Sequence, residues 1–325
     1  MQYPEIPNVE FMGDVHLGRR FIEGVPLERR GEREEEVWEQ FEQDLNNLES
    51  GLVHIQVGDL FDTFDVPNEV VLRAANLYLE AARRLSSIQF FILRGNHDAS
   101  RSDTRVSSFD LFKAIVGSQD NIWVVDQPMI YGTMGFMPWD PFKSAKEQAE
   151  GFNQWMPERV AHLDFIVCHC DTKAWNGNDF NVLPLDQLKD LTKIVVTGHE
   201  HIKRSFVSKG VTVHVTGSMQ PYSHGEDPDH SRYWTGTPDE LALLEDTSNL
   251  YLRVVLQPGE TAPPIPNCLG YKVQIGAVEE EESDITVDFE EFDTTNIFKG
   301  ILKELGVSAD IQAQVLDKFT ESLNA

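Results

Sequence analysis

Four times in its first two hundred residues this chain ends an apolar run with a glycine and then crowds acidic, amide or imidazole groups into the next few positions. The segments are Gly13-Asp14-Val15-His16, Gly58-Asp59-Leu60-Phe61-Asp62, Gly95-Asn96-His97-Asp98 and Gly198-His199-Glu200-His201, and a further run closes in Cys168-His169-Cys170. Any one of them reads as a turn, since Gly, Asn and Asp are ordinary turn residues. Five in order constrain the chain far more. In an open α/β sheet the ligand crevice lies outside the carboxyl ends of the strands, so strand ends loaded in this way converge on one place.

The runs between these segments alternate in period. Strands are expected at 9–12, 52–57, 88–93, 121–125, 165–168 and 193–196, helices at 32–48, 68–85 and 105–116, and hairpin-like runs over 204–216. A Gly/Met/Pro-rich stretch near 131–141 yields no element. This order predicts an α/β chain that becomes richer in β structure after its first half. A Pro/Gly-rich linker at 257–266 precedes a strand-like run at 271–275 and the acidic run Glu279-Glu280-Glu281-Glu282. The tail then places Ile297, Ile301 and Leu305, and after Gly306 and Ser308 also Ile311, Val315 and Phe319, at helical spacing. The expected divisions are a main domain at 1–256, a linker with a small β-rich capping region at 257–293, and a helix-loop-helix element at 294–325.

Composition excludes several classes. A chain of 325 residues with 41% hydrophobic side chains can bury a sizeable core. No apolar stretch approaches the roughly 18 residues of a membrane span, and the N-terminus lacks a basic-then-apolar leader, so a cytoplasmic protein without membrane contact is expected. Three cysteines without CxxC spacing favour neither a disulfide framework nor a structural zinc site. The net charge of −27 argues against a nucleic-acid binder, because neutralising phosphates requires Lys and Arg.

The five segments have metal-ligand chemistry. In extended backbone, residues i and i+2 point to the same side, which would let Asp14/His16 and His199/His201 each present two ligands to one pocket. Glycines at 13, 58, 95 and 198 would let the backbone turn sharply beside the ions. A bridging carboxylate among mixed nitrogen and oxygen ligands suits two first-row divalent ions such as manganese or iron.

This ordered set resembles the calcineurin-like metallophosphoesterase superfamily, a two-sheet α/β sandwich. The resemblance implies that Asp14, His16, Asp59 and His201 hold one ion and that Asp59, Asn96, His169 and His199 hold the other, with Asp59 bridging and Mn2+ the expected metal. It implies further that His97 is the acid that protonates the leaving oxygen and that Asp98 orients it. Cys168 stands where relatives usually have glycine. Within the superfamily, Asp14-Val15-His16-Leu17-Gly18, Gly58-Asp59-Leu60-Phe61-Asp62 and Ser223-His224-Gly225-Glu226 are similar to SbcD-like DNA nucleases of double-strand-break processing. That likeness implies 3′-to-5′ exonuclease and single-strand endonuclease activity, and a terminal helical element gripping an SbcC-like coiled-coil ATPase. The expected partners are therefore DNA, that ATPase and a second copy in a homodimer. The chain length is nearer the T-even phage subunits than most cellular members, so a phage source is expected. A phosphomonoesterase, a protein phosphatase and a non-catalytic adaptor on the same fold are the competing readings.

The charge objection is met locally, because at physiological salt the Debye length is ~8 Å and nearby patches decide contact. Arg19, Arg20, Arg101, Arg105, Lys203 and Arg204, with Arg29 and Arg30, adjoin the motifs and are the expected phosphate track, solvated surface cations being the plain alternative. The tail helices could equally fold back on their own domain. His54 reads as a packed core residue, Trp139 and Trp175 as anchors before base-stacking groups, and Cys168 and Cys170 as facing away from His169.

Overall fold

The computed structural model describes residues 1–100, 105–155 (the last three by backbone alone), 162–174 and 177–276. Strands Val9–Met12 (β1), Val53–Gln56 (β2), Gln89–Leu93 (β3) and Ile122–Val125 (β4) run parallel, adjacent in that order. Parallel neighbours require crossovers, and these are helices Glu32–Asn46 (α1), Asn68–Arg84 (α2) and Ser108–Val116 (α3). The last begins three residues later than expected because Ser107 caps it: its hydroxyl accepts from the Asp110 amide while the Asp110 carboxylate accepts from the Ser107 amide.

A second sheet contains Met129–Tyr131 (β5), Met134–Met137 (β6), Phe165–Cys168 (β7), Ile194–Thr197 (β8), Arg204–Ser208 (β9) and Val211–Val215 (β10), in the order β5-β6-β7-β8-β10-β9. Helices Ala145–Trp155 (α4) and Leu185–Leu188 (α5) cover its outer face. Strand alternation explains the layering. Phe90 and Ile92 of β3 point into the cluster made with α1 to α3, whereas Phe91 and Leu93 point into the cluster shared with Phe136, Phe165, Val167 and Val196 of the second sheet. The result is the expected two-sheet α/β sandwich.

Several elements were not legible, α4 and α5 among them. The β5–β6 hairpin lies in the Gly/Met/Pro-rich stretch, its turn made by Gly132 at φ +60°. A third sheet of parallel strands joins Tyr233–Gly236 (β11), Tyr251–Leu256 (β12) and Gly270–Ile275 (β13), with the short helix Pro238–Leu241 (α6) packed on it. This sheet takes strands from both sides of residue 257, so the small β region starts at Tyr233 and not at the proline-rich linker. The described residues all fall within one compact unit, Met1–Gly276. The acidic run and the helix-loop-helix expected at 294–325 lie outside them. Among the described residues no helix is long and apolar enough to cross a membrane.

Phe136 stacks on Phe91 at 4.6 Å between the two sheets and is fully buried. Phe136→Ala should cost about 3–5 kcal/mol, while Val207→Ala, at a side chain 71% exposed, should stay within about 0.5 kcal/mol. Urea unfolding of both variants checks this; equal losses would remove Phe136 from the core.

Candidate metal centre

All five segments meet at the carboxyl ends of β1, β2, β3, β7 and β8. Ligand atoms of Asp14, His16 and His201 lie within 4.8 Å of one another, as do those of Asp59, His169 and His199, and those of His16, Asp59 and His97. Asp59 Oδ2 stands between the groups, 3.8 Å from His16 Nε2 and 3.4 Å from His169 Nε2. Asn96 Oδ1 lies 3.0 Å from His169 Nε2 and 2.7 Å from His199 Nδ1. The seven residues singled out as ligands thus share one site.

The backbone reaches this arrangement differently from the extended i, i+2 geometry expected. His16 (φ 53°), Asp59 (φ 50°) and His199 (φ 77°) sit in the left-handed region, where a non-glycine residue is strained by roughly 1–3 kcal/mol. Each strand ends before its ligands, and the chain turns to aim them. Cross-links between segments hold the turns. The amides of Val15 and His16 both donate to the Asp59 carbonyl at 3.0 Å, the His199 amide donates to Asp14 Oδ2 at 2.9 Å, and the His97 amide donates to Asp59 Oδ1 at 2.9 Å. Gly95 and Gly198 are required by proximity, since a Cβ there would collide with the Asp59 and Asp14 carboxylates.

Outer hydrogen bonds fix which imidazole nitrogen faces inward. His169 Nδ1 donates to the Val57 carbonyl at 2.9 Å, His201 Nδ1 faces Glu226 Oε2 at 3.1 Å, and His199 Nε2 faces Asp171 Oδ1 at 3.0 Å. The opposite nitrogen of each ring is left as a lone pair directed into the site, the arrangement that metal-binding histidines adopt. His16 Nε2 and His201 Nε2 face each other at 3.0 Å, and the buried Asp14 Oδ1 has no hydrogen-bond partner among the described residues. Such a crowd of acceptors needs cations, so the donor set fits divalent ions.

The electrostatics agree. Burial, then the neighbouring Asp59, pushes the Asp14 carboxyl well above its usual range. Burial would raise Asp59 too, but the facing His169 and His16 rings outweigh it and hold that carboxyl below the usual range. Burial lowers His16. For His199 the burial penalty is outweighed by Asp171, which raises the ring, and for Glu226 it is outweighed by His201, which lowers the carboxyl.

One assigned role is corrected. Asp98 does not orient His97: its carboxylate accepts from the amides of Gly95 at 2.8 Å, Phe61 at 2.9 Å and Leu60 at 3.2 Å, and so ties the second segment to the third. Burial and then Asp59 push its carboxyl up to about 7. The His97 ring is held instead through Nδ1 by the Asp62 carbonyl, and it packs edge-on to His16 at 4.8 Å. Asp62, Asp171 and Glu226 are the residues that sequence reasoning missed. Two of them stand inside quoted segments, and Asp171 directly follows Cys170.

The cations are unevenly placed. Arg19 lies 3.5 Å from Asp62, Arg20 lies 3.7 Å from Glu34, and Arg204 pairs with Glu200. Arg105 stacks on Phe64 at 4.1 Å, and Lys203 is exposed. Arg29 pairs with Glu32, Arg30 is exposed, and Arg101 lies outside the described residues. His54 is a core residue, 3.4 Å from the Tyr78 hydroxyl, with burial holding its ring down to about 3. Trp139 is buried, its carbonyl accepting from Arg94 Nε, whereas Trp175 lies outside the described residues. Cys168 and Cys170 pack in the cluster behind the second sheet, away from the site.

Residues 8–203 match the family model described as calcineurin-like phosphoesterase. The chain belongs to that family, and it is a phosphoester hydrolase of the metallophosphoesterase type, a family that uses divalent metals. Among solved structures it is similar to the phosphopantetheinyl hydrolase of Mycobacterium tuberculosis, at 14% identity and a TM-score of 0.38, over 66% of this chain and 93% of that one. It is also similar to a putative 5′-nucleotidase from Staphylococcus aureus, at 15% identity and a TM-score of 0.35, over 65% of this chain and 48% of that one. No curated protein matches it.

Asp14→Asn removes a buried charge that Asp59 opposes. The metal-free variant should therefore unfold at a higher temperature than metal-free wild type. Mn2+ at 100 times its Kd should stabilise the wild type by about 2.7 kcal/mol and the variant by clearly less. Thermal unfolding in chelator and in Mn2+ reads both effects, and an undiminished metal-induced shift in the variant would remove Asp14 from the ligand set.

Proposed function

We propose that this chain is a dimetal DNA phosphodiesterase, a 3′-to-5′ exonuclease and single-strand endonuclease that works with an SbcC-like ATPase in DNA end processing. The observation that carries this reading is Asp62. It ends the Gly58–Asp62 segment that is similar to SbcD-like nucleases, and it touches three members of the site: His16 Nδ1 at 3.5 Å, Arg19 at 3.5 Å, and the His97 ring through its carbonyl. The residues that distinguish the nuclease subfamily are thus the ones that position the proposed acid and a cation beside the metal centre.

Asp14, His16, Asp59 and His201 would hold one ion and Asp59, Asn96, His169 and His199 the other, with Mn2+ the expected species. Such ions supply Lewis-acid charge that offsets the phosphate oxygens and acidifies the attacking water. The chain's own residues do the rest. The Asp62 carbonyl accepts from His97 Nδ1–H and so fixes the ring with Nε2 free to give a proton to the departing 3′-oxygen. The Glu226 and Asp171 carboxylates keep His201 and His199 aimed inward.

Metal-loaded protein should cleave labelled single-stranded DNA far faster than it hydrolyses a small phosphomonoester. His97→Asn should keep its metal and lose about 10² to 10⁴ in cleavage rate. Elemental analysis beside the nuclease assay decides: metal lost in proportion to activity would make His97 a ligand, preference for the monoester would favour a phosphatase, and no hydrolysis of either would favour an adaptor.

The ATPase is proposed from the tail sequence, whose apolar stripes at Ile297/Ile301/Leu305 and Ile311/Val315/Phe319 suit docking on a coiled coil. Removal of residues 294–325 should leave a folded nuclease that is active on short single strands and no longer captured by an SbcC-like partner. Pull-down with thermal unfolding tests this; unchanged capture would place the interface elsewhere, and an unfolded product would assign the tail to the core.

A further inference from the structure

Beside the metal centre lies a second cavity of about 230 Å³, between the loop after β1, the segment at 222–224 and the faces of β11 to β13. It shares a wall with the site. The Tyr222 ring packs edge-on to His16 at 5.5 Å and to His201 at 6.2 Å, while its other neighbours, Phe21 at 6.2 Å and the Arg19 guanidinium at 5.3 Å, line the cavity. Tyr233 and Tyr251, stacked at 4.9 Å, complete an aromatic lining. A cavity on the order of 150 Å³ holds a single six-membered aromatic ring, so the space admits one planar heterocycle and little more.

The rim is cationic, which is unexpected in a chain of net charge −27. Lys272 is tied to Glu23 at 2.8 Å. Arg253 is half-buried and its side chain makes no hydrogen bond or ion pair among the described residues, although most other arginines near the site are matched to a carboxylate. Burial, then Arg253 and Lys272, holds the His224 ring down to about 4. An aromatic-lined, ring-sized space with a spare guanidinium at its mouth has the chemistry of nucleotide recognition: the rings meet the base and the cation meets its phosphate.

We infer that this cavity seats one unpaired nucleotide of the strand whose neighbouring phosphodiester lies at the metal centre. The inference rests on the nuclease reading above and deepens it. It gives the enzyme a reason to prefer unpaired strands, since a paired base must first give up its pairing and stacking to enter.

The test compares the full-length Mn2+-loaded wild type with Arg253→Ala and with Lys272→Ala, a half-exposed position where the fold is not at stake. The substrates are a labelled oligothymidylate, the same strand carrying an abasic residue next to the cleaved bond, and a small aryl phosphodiester. Both variants should raise KM for the oligothymidylate, Arg253→Ala by about tenfold, with turnover of the aryl diester unchanged. The abasic strand should bring the wild type close to the Arg253→Ala variant. Unchanged KM in both variants, with wild type cleaving DNA, would overturn the pocket and leave the nuclease reading intact. Equal losses on DNA and on the aryl diester would make Arg253 structural and also overturn it. A wild type that hydrolyses only the aryl diester would overturn the nuclease reading itself, and the pocket with it.

Discussion

Asp59 is the point on which the site depends. Its carbonyl accepts from two amides of the first segment, one carboxylate oxygen accepts from the His97 amide of the third, and the other lies between His16 and His169. One residue therefore joins three strand ends through main-chain and side-chain atoms together. Its left-handed backbone is strained, and those contacts are what over-determine the conformation. Asp98 performs the complementary task from the other direction, collecting three amides of the second and third segments on one buried carboxylate. Backbone amides thus tie the segments together around buried like charges that bound cations would relieve.

Much of this was legible because it is periodic or punctuated. The strands that end in Gly13, Gly58, Gly95 and Gly198 are short apolar runs closed by polar and charged residues, and six of the seven ligand candidates stand at those ends, with His169 at the end of β7. The way they are aimed was not legible. Alternation along an extended strand suggests that Asp14 and His16 share a face, but His16 is left-handed and its direction is set by the Asp59 carbonyl, forty-odd residues away. Asp98 misled for the same reason. A carboxylate next to an imidazole reads as an orienting pair, whereas in a tight turn the two side chains diverge, and the buried amides nearby claim the carboxylate. Contacts such as His201 with Glu226 and His199 with Asp171 join residues about 25 apart, and no local pattern announces them.

The third sheet follows a different logic. The loops between its strands carry Pro and Gly, so the Pro-rich run at 257–266 reads as a border, although β12 and β13 pair in parallel across it. A parallel pair needs a connection long enough to cross over, and here that connection happens to be rich in the residues that usually mark linkers. Tyr251 and Tyr233 from this sheet reach the core cluster of the first sheet, together with Phe21 and Tyr222. The small sheet is thereby fastened to the loop that carries Arg19.

That fastening bears on how so acidic a chain meets an anionic substrate. Surface cations paired to carboxylates, such as Arg20 with Glu34 or Arg204 with Glu200, offer little net field to a phosphate. Affinity for a phosphate must come from places where positive charge is left uncompensated and desolvated, and among the described residues the metal centre, once loaded, and the mouth of the aromatic cavity beside it are such places. Both are recessed, and at a Debye length of ~8 Å the acidic surface beyond them is largely screened. On the proposed nuclease reading, such recesses would admit the phosphates and one base of a single strand more readily than a duplex. On that reading, selectivity for unpaired ends would follow from where uncompensated cations sit, and not from the total charge.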